Sequence, residues 1–105
     1  MRVMRLMVLF DLPTGNKAER KSYAEFRKFL VKDGYYMEQF SVYSRLLLTR
    51  ESAASHIARL REHLPDAGEV TVIQMTEKQY EDRIVLLSDR KEEPLEQSAQ
   101  LTLVL

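Results

Sequence analysis

At 105 residues, with 45% hydrophobic and 30% charged side chains, the chain has the makeup of one compact domain and no room for a second core. Its 16 basic and 16 acidic side chains cancel, so net charge alone predicts neither a nucleic-acid nor a membrane partner. With no cysteine there is no disulfide, thiolate metal site or thiol nucleophile, and no apolar run approaches the roughly 18 residues that a membrane span requires.

The charge is unevenly distributed: residues 1–50 carry ten basic and five acidic side chains, and residues 51–105 carry six and eleven. Such asymmetry fits a surface that faces a polyanion, or two helices that differ in solvated charge. Arg2 and Arg5 before Leu6 to Phe10 imitate a signal peptide, but the apolar segment is short and meets Asp11 and Pro13 rather than small residues. A soluble, unexported, cytoplasmic protein is expected.

Val3 to Phe10 reads as a strand buried on both faces, with Leu6, Val8 and Phe10 pointing one way and Met7 and Leu9 the other. Pro13 and Gly15 mark a loop. Lys17 to Asp33 reads as a helix whose apolar face holds Ser22, Tyr23, Phe26, Phe29 and Leu30, with Gly34 as its stop. Tyr35 to Leu48, rich in aromatic and β-branched residues, reads as two antiparallel strands joined near Gln39 to Ser41. Thr49 caps a second helix over Arg50 to Leu64, with Ala53, Ala54, Ile57, Leu60 and Leu64 on its apolar face. Glu69 to Met75 is a further strand, and Thr76-Glu77-Lys78-Gln79 matches a capping box that starts a short helical turn. Arg83 to Leu87 is expected to be extended, Ser88 to Gln100 a polar linker and Leu101 to Leu105 a last apolar strand.

This order, β-α-β-β-α-β plus an extra C-terminal strand, is an α+β ferredoxin-like sandwich over residues 1–87, followed by a linker and strand-forming tail over 88–105. Two helices cover one face of such a sheet. Met7, Leu9 and their neighbours therefore need another cover, for which a second copy in a symmetric homodimer is the simplest candidate. The tail either edges its own sheet or reaches the neighbouring subunit.

Chemistry-bearing patterns are sparse. There is no metal-ligand motif and no Gly-rich phosphate loop, and His56 and His63, seven apart on the second helix, read as boundary residues of its apolar stripe. Asp11 stands nearly alone, where the first strand meets the loop. It either accepts loop N–H bonds as a strand terminator or meets a metal or phosphate. One carboxylate is a poor magnesium site, but two copies near a twofold axis could share one Mg2+, which would polarise a phosphodiester and acidify a bound water. On the first helix Lys17, Arg20, Lys21, Arg27, Lys28 and Lys32 all lie opposite Phe26, interrupted mainly by Glu25. The stripe either tracks a phosphate backbone without reading sequence or is an ordinary solvated face with Glu25 paired to Lys21 and Lys28. Tyr35, Tyr36 and Tyr43 read as core or interface packing.

The strand Leu6 to Pro13 ending in Asp11, Arg20 and Lys21, and Lys28-Phe29-Leu30 leading to Gly34 resemble a known family. So do Gln39-Phe40-Ser41-Val42-Tyr43, Leu46-Leu47-Leu48 and Thr76 to Gln79. It is the CRISPR-associated adaptation protein family called Cas two, of the type II kind. The resemblance implies a ferredoxin-like homodimer that binds duplex DNA and lies between dimers of the integrase Cas one during spacer acquisition. It also implies a magnesium-dependent nuclease activity in some members, attributed to the aspartate whose place Asp11 takes, and puts Gln39, Ser41 and Tyr43 near the dimer core. The alternative is a toxin-like endoribonuclease of the same fold acting without an integrase.

Overall fold

The computed structural model describes residues 3–90. Seven elements follow in chain order: β1 (Met4–Asp11), α1 (Lys17–Lys32), β2 (Tyr36–Gln39), β3 (Val42–Leu47), α2 (Arg50–Glu62), β4 (Glu69–Thr76) and α3 (Glu77–Glu81). The strands form one antiparallel sheet in the order β2-β3-β1-β4, the expected α+β ferredoxin-like arrangement. The strand expected over 101–105 and most of the expected linker lie outside the described residues.

β1 is central because it is the most apolar strand and is paired on both edges, Val8 facing Tyr43 of β3 and Val72 of β4. Its alternation sorts the core. Leu6, Val8 and Phe10 are buried against Phe26 and Leu30 of α1 and Ala53 and Leu60 of α2, while Met7 and Leu9 on the opposite face are only half-buried. Each fully buried side chain of this kind contributes about 1.5–3 kcal/mol.

α1 begins where Asn16 accepts the Glu19 N–H at 2.8 Å and ends at Asp33. There Gly34, at φ +94°, lets its own N–H and that of Tyr35 return to the carbonyls of Val31 and Leu30. The Thr76 capping box forms in full, with both reciprocal hydrogen bonds present.

α2 departs from expectation. It stops at Glu62 with His63 as its cap, and Ala54 and Leu64 are exposed. His56 takes the buried place instead, because its Nδ1 meets Asp33 Oδ2 at 2.8 Å while Arg59 Nε donates to Asp33 Oδ1 at 2.9 Å. A polar ring is tolerated there because it is partnered. Nor does the stretch from Arg83 to Leu87 form a strand: Ile84 to Leu87 pair with no strand among the described residues and are between 63% and 92% exposed. No helix among the described residues is long and apolar enough to cross a membrane.

Candidate functional site

Asp11 is the last residue of β1, exposed, on the same face as Leu9 and Met7. Of the two readings of its carboxylate, the strand terminator that accepts loop N–H bonds is not seen. Among the described residues it accepts no hydrogen bond: the Gly15 N–H of the following loop donates to Glu19 Oε1 instead, and the Glu19 N–H in the first turn of α1 is capped by Asn16 Oδ1, each at 2.8 Å. The loop has its own caps and leaves Asp11 facing solvent.

Nor does Asp11 stand alone. Its cross-strand partner on β4 is Glu69, also exposed, so two carboxylates lie side by side on one face. Like charges so placed cost stability in the absence of a cation. The close approach of the two strand ends depends on Gly68, at φ +100°, where a Cβ would lie 2.5 Å from the Asp11 carbonyl oxygen and 2.9 Å from Leu12 Cδ2. Glu69 is invisible to motif reading, since it becomes a neighbour of Asp11 only once β4 is known to pair with β1. The donor set, two hard carboxylates, fits magnesium, which binds one or two carboxylates and keeps several waters. Among the described residues no three acidic, histidine or cysteine side chains gather in one group, so one chain supplies part of a shell rather than a closed cage.

All six predicted α1 cations, Lys17, Arg20, Lys21, Arg27, Lys28 and Lys32, are exposed. Among the described residues none forms an ion pair, and the pairing of Glu25 with Lys21 or Lys28 that belonged to the solvated-face reading is not made. Two do not lie directly opposite Phe26 but at the Tyr23 edge of the helix, where they are held in place: Arg20 donates to the Thr14 carbonyl at 3.3 Å, and Arg27 Nε donates to the Tyr43 hydroxyl at 2.8 Å. Four lysines remain free to meet anions. This helix and the Asp11 carboxylate occupy different sides of the sheet, so the two candidate sites are adjacent at the loop Leu12–Asn16 rather than merged.

The open face holds a cluster that the sequence did not signal. Arg5, 6% exposed, donates from Nε and an Nη to the two carboxylate oxygens of Glu77 at 2.6 and 2.7 Å, to the Tyr36 hydroxyl at 2.6 Å and to Ser44 Oγ at 3.0 Å. The ring of Tyr80 lies between two guanidiniums, Arg5 at 3.8 Å and Arg83 at 3.9 Å. Glu38 accepts from Ser44 Oγ and from the Tyr80 hydroxyl, each at 2.6 Å. Burial opposes the charge on Arg5, yet the hydrogen bond to Glu77 and the surrounding negative potential hold its pKa above the ordinary value. Burial also works against the Glu38 carboxylate, but the hydroxyls of Ser44, Tyr80 and Tyr36 outweigh it and hold its pKa below the usual range. Burial, then the hydrogen bond to Glu38, raises the Tyr80 phenol. This is a satisfied structural network with no free nucleophile.

The tyrosines and histidines find structural places. Tyr35 and Tyr43 are buried, and burial together with Asp33 pushes the Tyr35 phenol up to about 12. Tyr43 faces the helices and Ser41 bonds to Tyr23 of α1, so this motif lies on or beside the covered face rather than at the centre of the open one. His63 stacks on Phe29 at 4.0 Å.

The sequence model of the family described as CRISPR associated protein Cas2 matches residues 4–83. Among curated proteins, the CRISPR-associated endoribonuclease Cas2 of Streptococcus mutans serotype c is 47% identical over 87 residues, 83% of this chain and 80% of that protein. The protein of the same name from Acidovorax ebreus is 51% identical over 77 residues, 73% of this chain and 76% of that one. A third, from Ligilactobacillus salivarius, is 42% identical over 102 residues, 97% of this chain and all of its own length.

Proposed function

Because this chain belongs to the CRISPR-associated Cas2 family, we propose that it serves CRISPR adaptation as a homodimer that binds duplex DNA along α1 and bridges dimers of the Cas one integrase. The observation that carries the reading is the α1 stripe: six exposed cations with no carboxylate partner among the described residues, in a chain whose net charge is zero. Unneutralised cations spread along a helix neutralise phosphates of a nucleic-acid backbone and release its counterions on binding. A second copy doubles the stripe.

The homodimer rests on the open face. Met7 and Leu9 are half-covered there, Leu46 and Ile73 are 40% and 44% exposed, and the apolar segment Ile84 to Leu87 leaves α3 without a partner among the described residues. A second copy laid face to face supplies apolar cover for all of them and brings the two Asp11–Glu69 edges into one assembly.

The binding reading is tested by duplex DNA titrations at several salt concentrations. The double change Lys21→Glu, Lys28→Glu is expected to weaken binding at least tenfold and to flatten the slope of log K against log salt by roughly 0.9 per lost phosphate contact. Unchanged affinity and slope would contradict it.

A second reading, metal-dependent endonuclease activity, is favoured by the side-by-side carboxylates and by the word endoribonuclease in the relatives' names. Asp11 and Glu69 would hold Mg2+, which when bound polarises a phosphodiester and lowers the pKa of a coordinated water. The chain's own contribution is to present two carboxylates unencumbered by loop donors and to keep them together through Gly68. Asp11→Asn is expected to abolish cleavage while the far-ultraviolet circular dichroism stays unchanged. Equal cleavage by the variant would remove Asp11 from the reaction.

A further inference from the structure

β2 and β3 are joined by Phe40 and Ser41. Such tight turns favour Gly, Asn or Asp, yet here an aromatic residue occupies the tip, and Ser41 takes the left-handed conformation at φ +64°. The arrangement is fixed from several directions. The Ser41 carbonyl accepts the Phe10 N–H at 3.0 Å, and Ser41 Oγ and the Tyr23 hydroxyl share a hydrogen bond of 3.1 Å. The Phe40 ring stacks on Tyr23, with centroids 5.6 Å apart and planes 18° apart, and Tyr23 leans on core residue Phe10 at 5.8 Å.

Phe40 is nonetheless 77% exposed. One face of its ring is backed by Tyr23 and the other is presented to solvent. Arg20 and Arg27 stand three residues before and four after Tyr23, on the same side of α1. Their single protein hydrogen bonds, to Thr14 and Tyr43, fix each guanidinium and leave further N–H groups for an anion.

We propose that Phe40, backed by Tyr23 and flanked by Arg20 and Arg27, is a stacking platform for an unpaired base of a single-stranded nucleic-acid end. Every base has an apolar π face that suits the open side of the ring, and the adjoining phosphates suit the guanidiniums. The proposal rests on the nucleic-acid reading of α1 and adds to it the recognition of a frayed or overhanging end.

The test compares a blunt duplex with the same duplex carrying a single-stranded overhang whose first unpaired base is 2-aminopurine. The full chain is expected to bind the overhang duplex more tightly and to quench the 2-aminopurine. Phe40→Ala should lose about tenfold on the overhang duplex and the quenching with it, and keep its affinity for the blunt duplex. Phe40→Trp should retain both signals, whereas Phe40→Leu, which keeps apolar bulk without a π face, should lose the quenching. Equal overhang affinity and quenching in Phe40→Ala, with blunt binding intact, would overturn the platform alone. A wild-type chain that binds neither duplex would overturn the α1 reading and the platform together. A change of sedimentation mass in Phe40→Ala would assign the ring to a protein interface and also overturn the proposal.

Discussion

On the helix-covered face of the sheet, Leu6, Val8, Tyr43 and Leu47 are as deeply buried as any residues in the molecule and pack against apolar neighbours. On the open face, Arg5 and Ser44 are comparably buried, but within a network of charges and hydroxyls, and the apolar residues around them remain partly exposed. The first face is finished within one chain. The second is finished only at its polar end, where α3 folds Glu77 and Tyr80 over β1 and β2, and is left apolar along Met7, Leu9 and Ile73. Burial by itself therefore does not distinguish the two faces. What distinguishes them is whether the apolar surface has already found a partner.

Substitutions break this comparison to different degrees. Leu6→Ala, on the finished face, is expected to cost about 4 kcal/mol, because the helices above it are fixed by many other contacts and close the cavity poorly. Thermal and urea unfolding measure it. Arg5→Ala is expected to cost about 3 kcal/mol, less because Glu77 is partly exposed and regains water. Replacing both partners, Arg5→Met with Glu77→Met, should cost less than Arg5→Ala, since Glu77 is then not left without its cation and only Glu38, 3.9 Å from Arg5, loses one. A double variant as unstable as the single one would show that the network, rather than the pair, carries the stability.

Gly68→Val is expected to cost about 2 kcal/mol from the left-handed backbone and the clash with Asp11 and Leu12. It should also lower any Asp11-dependent cleavage. The smallest effect is that of acid. Glu38 has a folded pKa below its unfolded value, so its contribution is present above the ordinary carboxylate pKa and is lost as pH falls through the folded one. Melting temperature measured between roughly pH 3 and 6 should drop more in the wild type than in Glu38→Gln.

Much of the covered face was legible in the sequence because it follows the two periods of strand and helix. Leu6, Val8, Phe10, Phe26 and Leu30 announce themselves by spacing, and the Thr76 capping box by its four residues. The apolar part of the open face, Met7 and Leu9, was legible too, but its polar end was not, because the interactions that organise it are distant in sequence: Arg5 finds Tyr36 31 residues away and Glu77 72 residues away. An arginine in a strand reads as surface until its partners are known. For the same reason Asp11 was identified and Glu69 was not. The α2 stripe was misread at Ala54 because His56, partnered by Asp33, enters the core where periodicity alone would exclude a polar ring. The α1 cations were legible because helical spacing alone sets their side, even though the neutral total conceals them.

The central claim is that the open face is completed by a second copy of the chain. Sedimentation equilibrium of the wild type at micromolar concentrations is the most direct test. The account predicts a mass of twice the 12.3 kDa chain, reverting to the single-chain mass in Leu9→Lys, which places a charge in the middle of the open face. A wild type that sediments as a single chain at every concentration would contradict it.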